Sequence, residues 1–466
     1  MHLEELKRTR LKWVEASREN DFEEGIGRLL TDLYPHNAHF IYELLQNAED
    51  AQATEVRFVL QEDMVEFEHN GNRLFSIEDV EAITGLGIST KKDDPTNIGE
   101  FGVGFKAVFA YTATPEISSG PFHFRIRDLV VPDTEGLGPR NVGEQITRFS
   151  FPFDNPRKPP KTAYAEIEEN LRQLDESTLL FLGNIRKIEY LLSDSTLGFL
   201  ERRETDRNRI EILVQRPEES EPVSVPYLLF EKEVNVNDED GKLNRCRIAI
   251  AFGLEKTQKE EWQVKPLKNG QVCIYFPAEK ETSNLRFHLH APFASTVARD
   301  SVRHCEANDD LRDQLAALIA ESMTIIRDQG LLNVGFLAVL PNAKDNILPF
   351  YKPIMDRLIE AFQNEKLTPM KQGGHSAANG IFRGTGRLSN LISDSDLATI
   401  LGRNCSLQLW IAMPQSSQRR NERGEFVQDA KAQYRNERIR DFQNVLNVTE
   451  WNISDFMEVL NTTTAF

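Results

Sequence analysis

The 466-residue chain exceeds what one compact domain holds, and three units of roughly 100–200 residues are the natural division. Apolar residues make up 40% of it and Phe alone occurs 28 times, a globular composition that excludes a disordered chain. Lys and Arg number 55 against 73 Asp and Glu, and the resulting −18 argues against a protein that coats nucleic acid along its whole surface, a local basic patch aside.

The N-terminus, Met1-His-Leu-Glu-Glu-Leu-Lys-Arg8, is charged from its fourth residue and has no apolar stretch of the signal-peptide kind. Residues 1 to about 35 read as helical, with Leu6, Trp13, Ile26, Leu29 and Leu30 as buried positions. Next comes Glu43-Leu-Leu-Gln-Asn47-Ala-Glu-Asp50-Ala, where Glu43, Asn47 and Asp50 fall on one helical stripe while Ile41, Leu44, Leu45, Ala48 and Ala51 face a core. Glu55–Leu60 and Met64–Glu68 read as paired strands about a short polar turn. Ser76-Ile-Glu-Asp79 has the form of a helix cap, with Val80 and Ile83 behind it. From Gly85 to Gly99 the glycines, Lys91, Lys92 and Pro95 suit a loop, and Gly99-Glu-Phe101-Gly102-Val103-Gly104-Phe105-Lys106 follows as a glycine-rich turn into an apolar helix. Gln145–Phe151 reads as a strand ending at Pro152.

Asn155-Pro-Arg-Lys-Pro-Pro-Lys161 is a proline-rich connector and places a domain boundary near 155. Beyond it a helix over Ala165–Leu174 precedes strand-like runs at 188–192, 210–214, 246–252, 272–276 and 286–290, then a helix from Leu311 to about Arg327, an α/β or α+β mixture. The most apolar window, Leu331–Leu340, is far below the ~20 residues that span a bilayer, so no membrane is implied and the reading is a soluble cytoplasmic protein. A glycine-containing stretch at 372–380 interrupts a mainly helical C-terminal region. The chain ends at Phe466 just after an apparent helix, which reads as a fragment of something longer. Cys246, Cys273, Cys305 and Cys405 lack any Cys-x-x-Cys spacing, so they read as reduced thiols rather than a zinc site or disulfide framework.

A nucleoside triphosphate site needs hard oxygen ligands for Mg²⁺, an oriented water and backbone amides that approach phosphate closely. Asn47 offers a carbonyl oxygen, and Glu43, one turn earlier, is placed to accept a proton from water. The glycines at 99, 102 and 104 clear side chains from a helix start, and Lys106, Lys91 and Lys92 add positive charge. No Gly-x-x-x-x-Gly-Lys-Ser/Thr string occurs, and no Gly-x-Gly-x-x-Gly follows a strand in Rossmann fashion.

In this order, Glu-x-x-x-Asn-x-x-Asp-Ala, a strand pair, a His-Asn-Gly turn, a glycine-rich lid and Gly-x-Phe-Gly-x-Gly-Phe, the sequence resembles the GHKL superfamily of gyrase, heat-shock chaperone, histidine kinase and MutL ATPases. Ile83-Thr-Gly-Leu-Gly-Ile-Ser-Thr-Lys91 and Ile98-Gly-Glu-Phe-Gly-Val-Gly-Phe-Lys106-Ala-Val-Phe109 are similar to its sacsin-like branch. The motifs cover residues 36 to about 152. The resemblance implies an α+β protein: a Bergerat α/β sandwich ATPase domain over 1–155, a chaperone-like mixed α/β middle domain over 156–330, and the mainly helical region 331–466. It implies ATP and Mg²⁺ as ligands, Glu43 as general base, Asn47 as Mg²⁺ ligand and Asp50 as a helper. Gly99, Gly102 and Gly104 would line the phosphates, with Phe101, Val103, Phe105 and Lys106 in the same turn and Thr147 near the adenine. Hydrolysis would gate a lid and a homodimer or middle-domain clamp acting on a protein client or partner subunit, in quality control or bacterial defence.

The family's adenine-reading aspartate in Asp-x-Gly-x-Gly is absent. This chain has His69-Asn70-Gly71-Asn72-Arg73, so His69 or Asn70 stands there, depending on which glycine aligns. A neutral side chain accepts the adenine amino proton more weakly than a carboxylate, and looser base selectivity with tolerance of guanine is the expectation. In Phe293-Ala-Ser-Thr-Val-Ala-Arg299, Arg299 is by the same resemblance the candidate sensor of the terminal phosphate, against an ordinary surface or ion-paired arginine. His288 and His290 read as satisfied surface histidines rather than a metal pair. The basic run from Arg419 to Arg440 is diluted by acids and reads as a solvated helix. Three alternatives stay open: a histidine kinase, for which His36 and His39 are misplaced; a DNA-handling clamp of MutL or topoisomerase type; and a non-hydrolysing nucleotide-bound scaffold.

Overall fold

The computed structural model describes residues 3–19, 40–85, 104–138, 143, 145–206, 208–237, 242–296, 300–384, 388–404, 408–414, 418–420 and 426–463. Helix α1 (Leu3–Glu19) buries Leu6 and Val14, but Trp13, expected inside, is 39% exposed. It sits one residue, about 100° of helix, from Val14 and so turns off the buried stripe. Helix α2 (Phe40–Asp50) follows the apolar phase of its sequence: Ile41, Leu44, Leu45 and Ala48 are buried, while Glu43, Asn47 and Asp50 are half-buried on the flank. Helix α3 (Ile77–Ile83) starts at Ser76, whose hydroxyl accepts from the Asp79 N–H while the Asp79 carboxylate accepts from the Ser76 N–H, the cap read from the sequence.

The strands are β1 (Glu55–Leu60), β2 (Met64–His69), β3 (Glu116–Ser119), β4 (Phe122–Arg127), β5 (Val131–Asp133), β6 (Thr147–Pro152), β7 (Lys187–Leu191), β8 (Leu197–Glu204), β9 (Arg209–Gln215), β10 (Val223–Asn237), β11 (Leu243–Lys256), β12 (Trp262–Val264), β13 (Val272–Ile274), β14 (Phe276–Pro277) and β15 (His288–His290). They form one 15-stranded sheet in the order β14-β13-β15-β11-β10-β9-β8-β7-β1-β2-β6-β3-β4-β5, with β12 paired to β11. Most pairs are antiparallel; β1 with β7 and β13 with β15 run parallel, so the sheet is mixed and the fold α+β. The strict alternation of β2 and β6 turns Val65, Phe67 and His69, with Thr147, Phe149 and Phe151, to one buried face.

The connector at 155–161 does not divide two bodies. Helix α4 (Pro160–Gln173), the short helix α5 (Ser177–Leu180) and β7 supply Ile167, Leu171, Leu179 and Ile188 to the same core as Leu44 and Phe67. The reason is nonlocal: β7 docks in parallel beside β1, which no local composition reports. A second core runs from Leu228 to Val448, joining β10 and β11 to helix α6 (Glu306–Asp328), helix α7 (Lys352–Asn364) and helix α8 (Ala430–Val445). The expected boundary at 330 is therefore also bridged by packing. Helix content after 330 is modest, with short strand pairs at 368–376 and 418–428 and between 382–384 and 449–451.

The reading of residues 419–440 as a solvated basic helix is corrected at Arg438. Its guanidinium is buried, donating to the Ala338 and Leu340 carbonyls and to both oxygens of buried Asp345, while Phe442 is fully inside. His288 and His290 are likewise not surface residues. All three positions of β15 are buried, and burial lowers the two imidazoles to about 4 and about 3, so both are neutral. Among the described residues Cys246, Cys273 and Cys305 are free thiols, and no helix is long and apolar enough to cross a membrane.

Candidate nucleotide site

Helix α2 is held in place from three sides. It packs against a 3₁₀ segment, Gly104–Ala110, which follows residues 99–103 in the sequence. Phe105 from that segment lies 5.9 Å from the Phe149 ring and 6.2 Å from Phe151, and Phe40 at the start of α2 meets Tyr111 at 5.1 Å and Phe151 at 5.9 Å. The apolar segment after the glycines thus lies beside the helix that carries Glu43 and Asn47.

At the C-terminal end of α2 the turn His69-Asn70-Gly71 closes against it. A Cβ on Gly71 would sit 2.7 Å from the Ala51 carbonyl oxygen, 2.8 Å from the Ala51 Cβ and 2.8 Å from His69 Nδ1, so only glycine admits this approach without a shift. The Arg73 N–H donates to the Ala51 carbonyl at 3.3 Å, fixing the same contact. Asp50 is half-buried one residue before Ala51.

The third support is Glu49. Its carboxylate is buried and accepts from the Gly183 and Asn184 N–H groups at 2.7 Å each, from Asn184 Nδ2 at 3.1 Å and from the Ile185 N–H at 2.9 Å. Sequence reading missed it as an anchor, though a signal existed. Glu49 lies four residues after Leu45 and so falls on the apolar face, where a carboxylate persists only with partners.

The two residues offered for the missing aspartate separate cleanly. Asn70 turns away from the role: its Oδ1 accepts from the Thr54 and Glu55 N–H groups at 2.9 and 3.0 Å, and its Nδ2 donates to Thr54 Oγ1 at 2.9 Å. His69 faces the buried side of β2, directly opposite Thr147 on β6. Its Nδ1 accepts from the Gly71 N–H at 3.1 Å, and burial lowers its pKa to about 4. Thr147 Oγ1 is 2.6 Å from Ser119 Oγ, which also accepts from the Phe75 N–H at 3.0 Å. Ser119, which sequence reading passed over, is fully buried beside them.

Lys106 is placed otherwise than a phosphate-facing cation. It is 1% exposed, and its Nζ donates to the Ile83 carbonyl at 2.7 Å and the Leu129 carbonyl at 2.6 Å, tying the end of α3 to the turn before β5. Desolvation, with Arg10 a nearby like charge, lowers its pKa from 10.5 to about 7. Unfolded, the lysine keeps its proton to about pH 10. Between about 7 and 10.5 the unfolded chain therefore binds more protons than the folded one, and stability rises with pH through that window. Urea midpoints of wild type and Lys106→Met at pH 7 and 9 check this: the wild type gains relative to the variant on going to pH 9, and parallel midpoints would refute it.

Gly99, Phe101, Gly102, Val103, Lys91, Lys92 and Arg299 lie outside the described residues. Among the described residues no three His, Cys, Asp or Glu side chains converge as metal ligands. Asn47, with Glu43 and Asp50 on the same half-buried stripe, supplies neutral and anionic oxygens of the kind suited to a Mg²⁺ that keeps phosphate and water as its other ligands.

Comparison with known proteins agrees with the sequence resemblance over this region. Residues 21–135 match the family model described as Sacsin domain. Protein NO VEIN of Arabidopsis thaliana is 28% identical over 304 residues, 59% of this chain and 11% of that protein. Human sacsin is 39% identical over 103 residues, 19% of this chain and 2% of that protein. The chain thus spans only a small part of the length of either relative. Among solved structures, the N-terminal domain of a DNA repair protein and the B-subunit of DNA gyrase from Myxococcus xanthus align at 12% identity and TM-score 0.35. They cover 58% and 66% of this chain, and 89% and 95% of their own. The sacsin-like resemblance is borne out over residues 21–135, which are similar to that family.

Proposed function

We propose that this chain binds a Mg²⁺–nucleoside triphosphate against α2 and hydrolyses its terminal phosphate, ATP being the nucleotide the resemblance implies. The observation that carries the reading is the arrangement around α2. Glu43, Asn47 and Asp50 are half-buried in line, with the segment after the glycine turn on one side and the His69–Gly71 turn closing the far end.

In this reading Glu43 accepts the proton of the attacking water, and Asn47 gives its side-chain oxygen to the metal. Mg²⁺, when bound, neutralises the phosphate charge that builds on transfer. Asp50, His69, Gly71 and Thr147 form the base end. The amides of Gly99, Gly102 and Gly104, with Phe101, Val103 and Phe105 beside them, form the phosphate end, and Arg299 approaches the terminal phosphate. Hydrolysis then drives a conformational cycle, with a second copy of the chain or a client protein as partner and the cytoplasm as its setting.

Calorimetric titration with non-hydrolysable ATP and GTP analogues, with and without Mg²⁺, tests the site. Binding is expected to require Mg²⁺, and Asn47→Ala to weaken it about tenfold or more. Unchanged affinity in that variant removes Asn47 as the metal ligand, and no binding of either analogue removes the site.

A further inference from the structure

The buried face of the central strands is apolar except at one end. Phe67 on β2 and Phe149 and Phe151 on β6 give way there to His69, Thr147 and Ser119, adjacent on three neighbouring strands and exposed by 3%, 0% and 0%. Buried polar groups in such a row must be matched. Ser119 and Thr147 match each other and the Phe75 N–H. His69 is matched through Nδ1, which accepts from the Gly71 N–H at 3.1 Å.

That single bond decides the tautomer. A neutral imidazole carries one proton, and a ring nitrogen that accepts from an amide cannot hold it. With the ring kept neutral by burial, the proton resides on Nε2. His69 therefore presents a donor where a carboxylate would present an acceptor. The hydroxyl of Thr147 beside it can donate or accept.

We propose that His69 Nε2–H selects a 6-oxopurine, the guanine class, over a 6-aminopurine at the base end of the nucleotide site; this rests on the nucleotide site proposed above. Guanine offers adjacent acceptors at O6 and N7. Adenine puts an amino donor at position 6, which would face the Nε2–H donor to donor in a place with little water. Beyond tolerance of guanine, the histidine is then the residue that rejects adenine.

The test is a series of non-hydrolysable triphosphates titrated into the wild-type chain with Mg²⁺: guanosine, inosine, adenosine and 2-aminopurine riboside. Inosine keeps the 6-oxo group and lacks the 2-amino group; 2-aminopurine does the reverse. Guanosine and inosine analogues are expected to bind within about threefold of each other and at least about tenfold tighter than the other two. His69→Asp, checked by its unfolding midpoint, should shift the guanosine-to-adenosine ratio at least about tenfold toward adenosine. Equal or tighter binding of the adenosine analogue to wild type overturns the assignment of His69 and leaves the site standing. Failure of all four to bind overturns both. Should His69→Asp not fold, the wild-type series decides alone.

Discussion

Replacing Glu43 by Gln or Ala is expected to leave nucleotide affinity within about threefold while lowering phosphate release by about 10²–10⁴, the share a positioned general base supplies. The contrast within one helix supports this. Glu49 is buried and takes four hydrogen bonds from the 183–185 segment, so it belongs to the fold; Glu43, six residues earlier, is half-buried on the flank of the same helix. Among the described residues Glu43 holds no comparable internal network, and its removal should not disturb the course of α2, whose buried apolar residues include Ile41, Leu44, Leu45 and Ala48. Single-turnover measurements of phosphate release, alongside titration with a non-hydrolysable analogue, separate the two effects. Turnover retained in Glu43→Ala would refute the base; loss of binding together with turnover would make Glu43 a ligand rather than a base. Absence of release from wild type despite tight binding would favour the scaffold alternative.

Much of the site's framework was legible because it is local. The period of Ile41, Leu44, Leu45 and Ala48 fixed α2 and put Glu43, Asn47 and Asp50 on its flank; alternation fixed β1, β2 and the strand ending at Pro152; Ser76 and Asp79 announced α3. What was not legible is long-range. The proline-rich connector looked like a boundary, but β7 returns to pair with β1 and draws 160–191 into the first core. The run 272–276 looked like one strand, whereas Tyr275 adopts φ 68° and breaks it into β13 and β14, folded back so that Cys273 pairs with Pro277. Strand β10 was obscured by Pro226 and by acids along a segment whose one continuous buried stretch is Tyr227–Phe230. At the site, spacing named both His69 and Asn70, and only the Thr54 and Glu55 amides on Asn70 show which of them turns inward. Lys106 followed the glycines in the sequence as a phosphate-binding lysine would, yet its ammonium reaches two carbonyls that are distant in the chain.

Glu49→Ala is expected to cost about 3–5 kcal/mol, more than any single nucleotide-contact variant costs in stability. The cost comes from the donors left behind rather than from the lost attraction. The carboxylate satisfies three consecutive backbone N–H groups, those of Gly183, Asn184 and Ile185, together with the Asn184 side chain. Truncation strands those donors beside a cavity. Water does not reach them cheaply, because Ile185 and the preceding Leu182 are fully buried. Glu49→Gln is expected to recover only part of the loss, since the amide keeps one acceptor oxygen but turns a second donor group toward N–H groups that need an acceptor. The same segment receives Arg202, which donates to the Leu180 and Leu182 carbonyls, and Arg247, which donates to the Phe181 carbonyl, so its geometry is fixed from the sheet as well as from α2. Loosening it should therefore release α2 from the 183–185 segment before the second core melts. Urea unfolding read by two probes distinguishes this: protease susceptibility near 183–185 should rise at lower urea than the loss of signal from the Leu228–Val448 core. An unchanged midpoint in Glu49→Ala, or simultaneous loss of both signals, would show that α2 does not depend on this anchor.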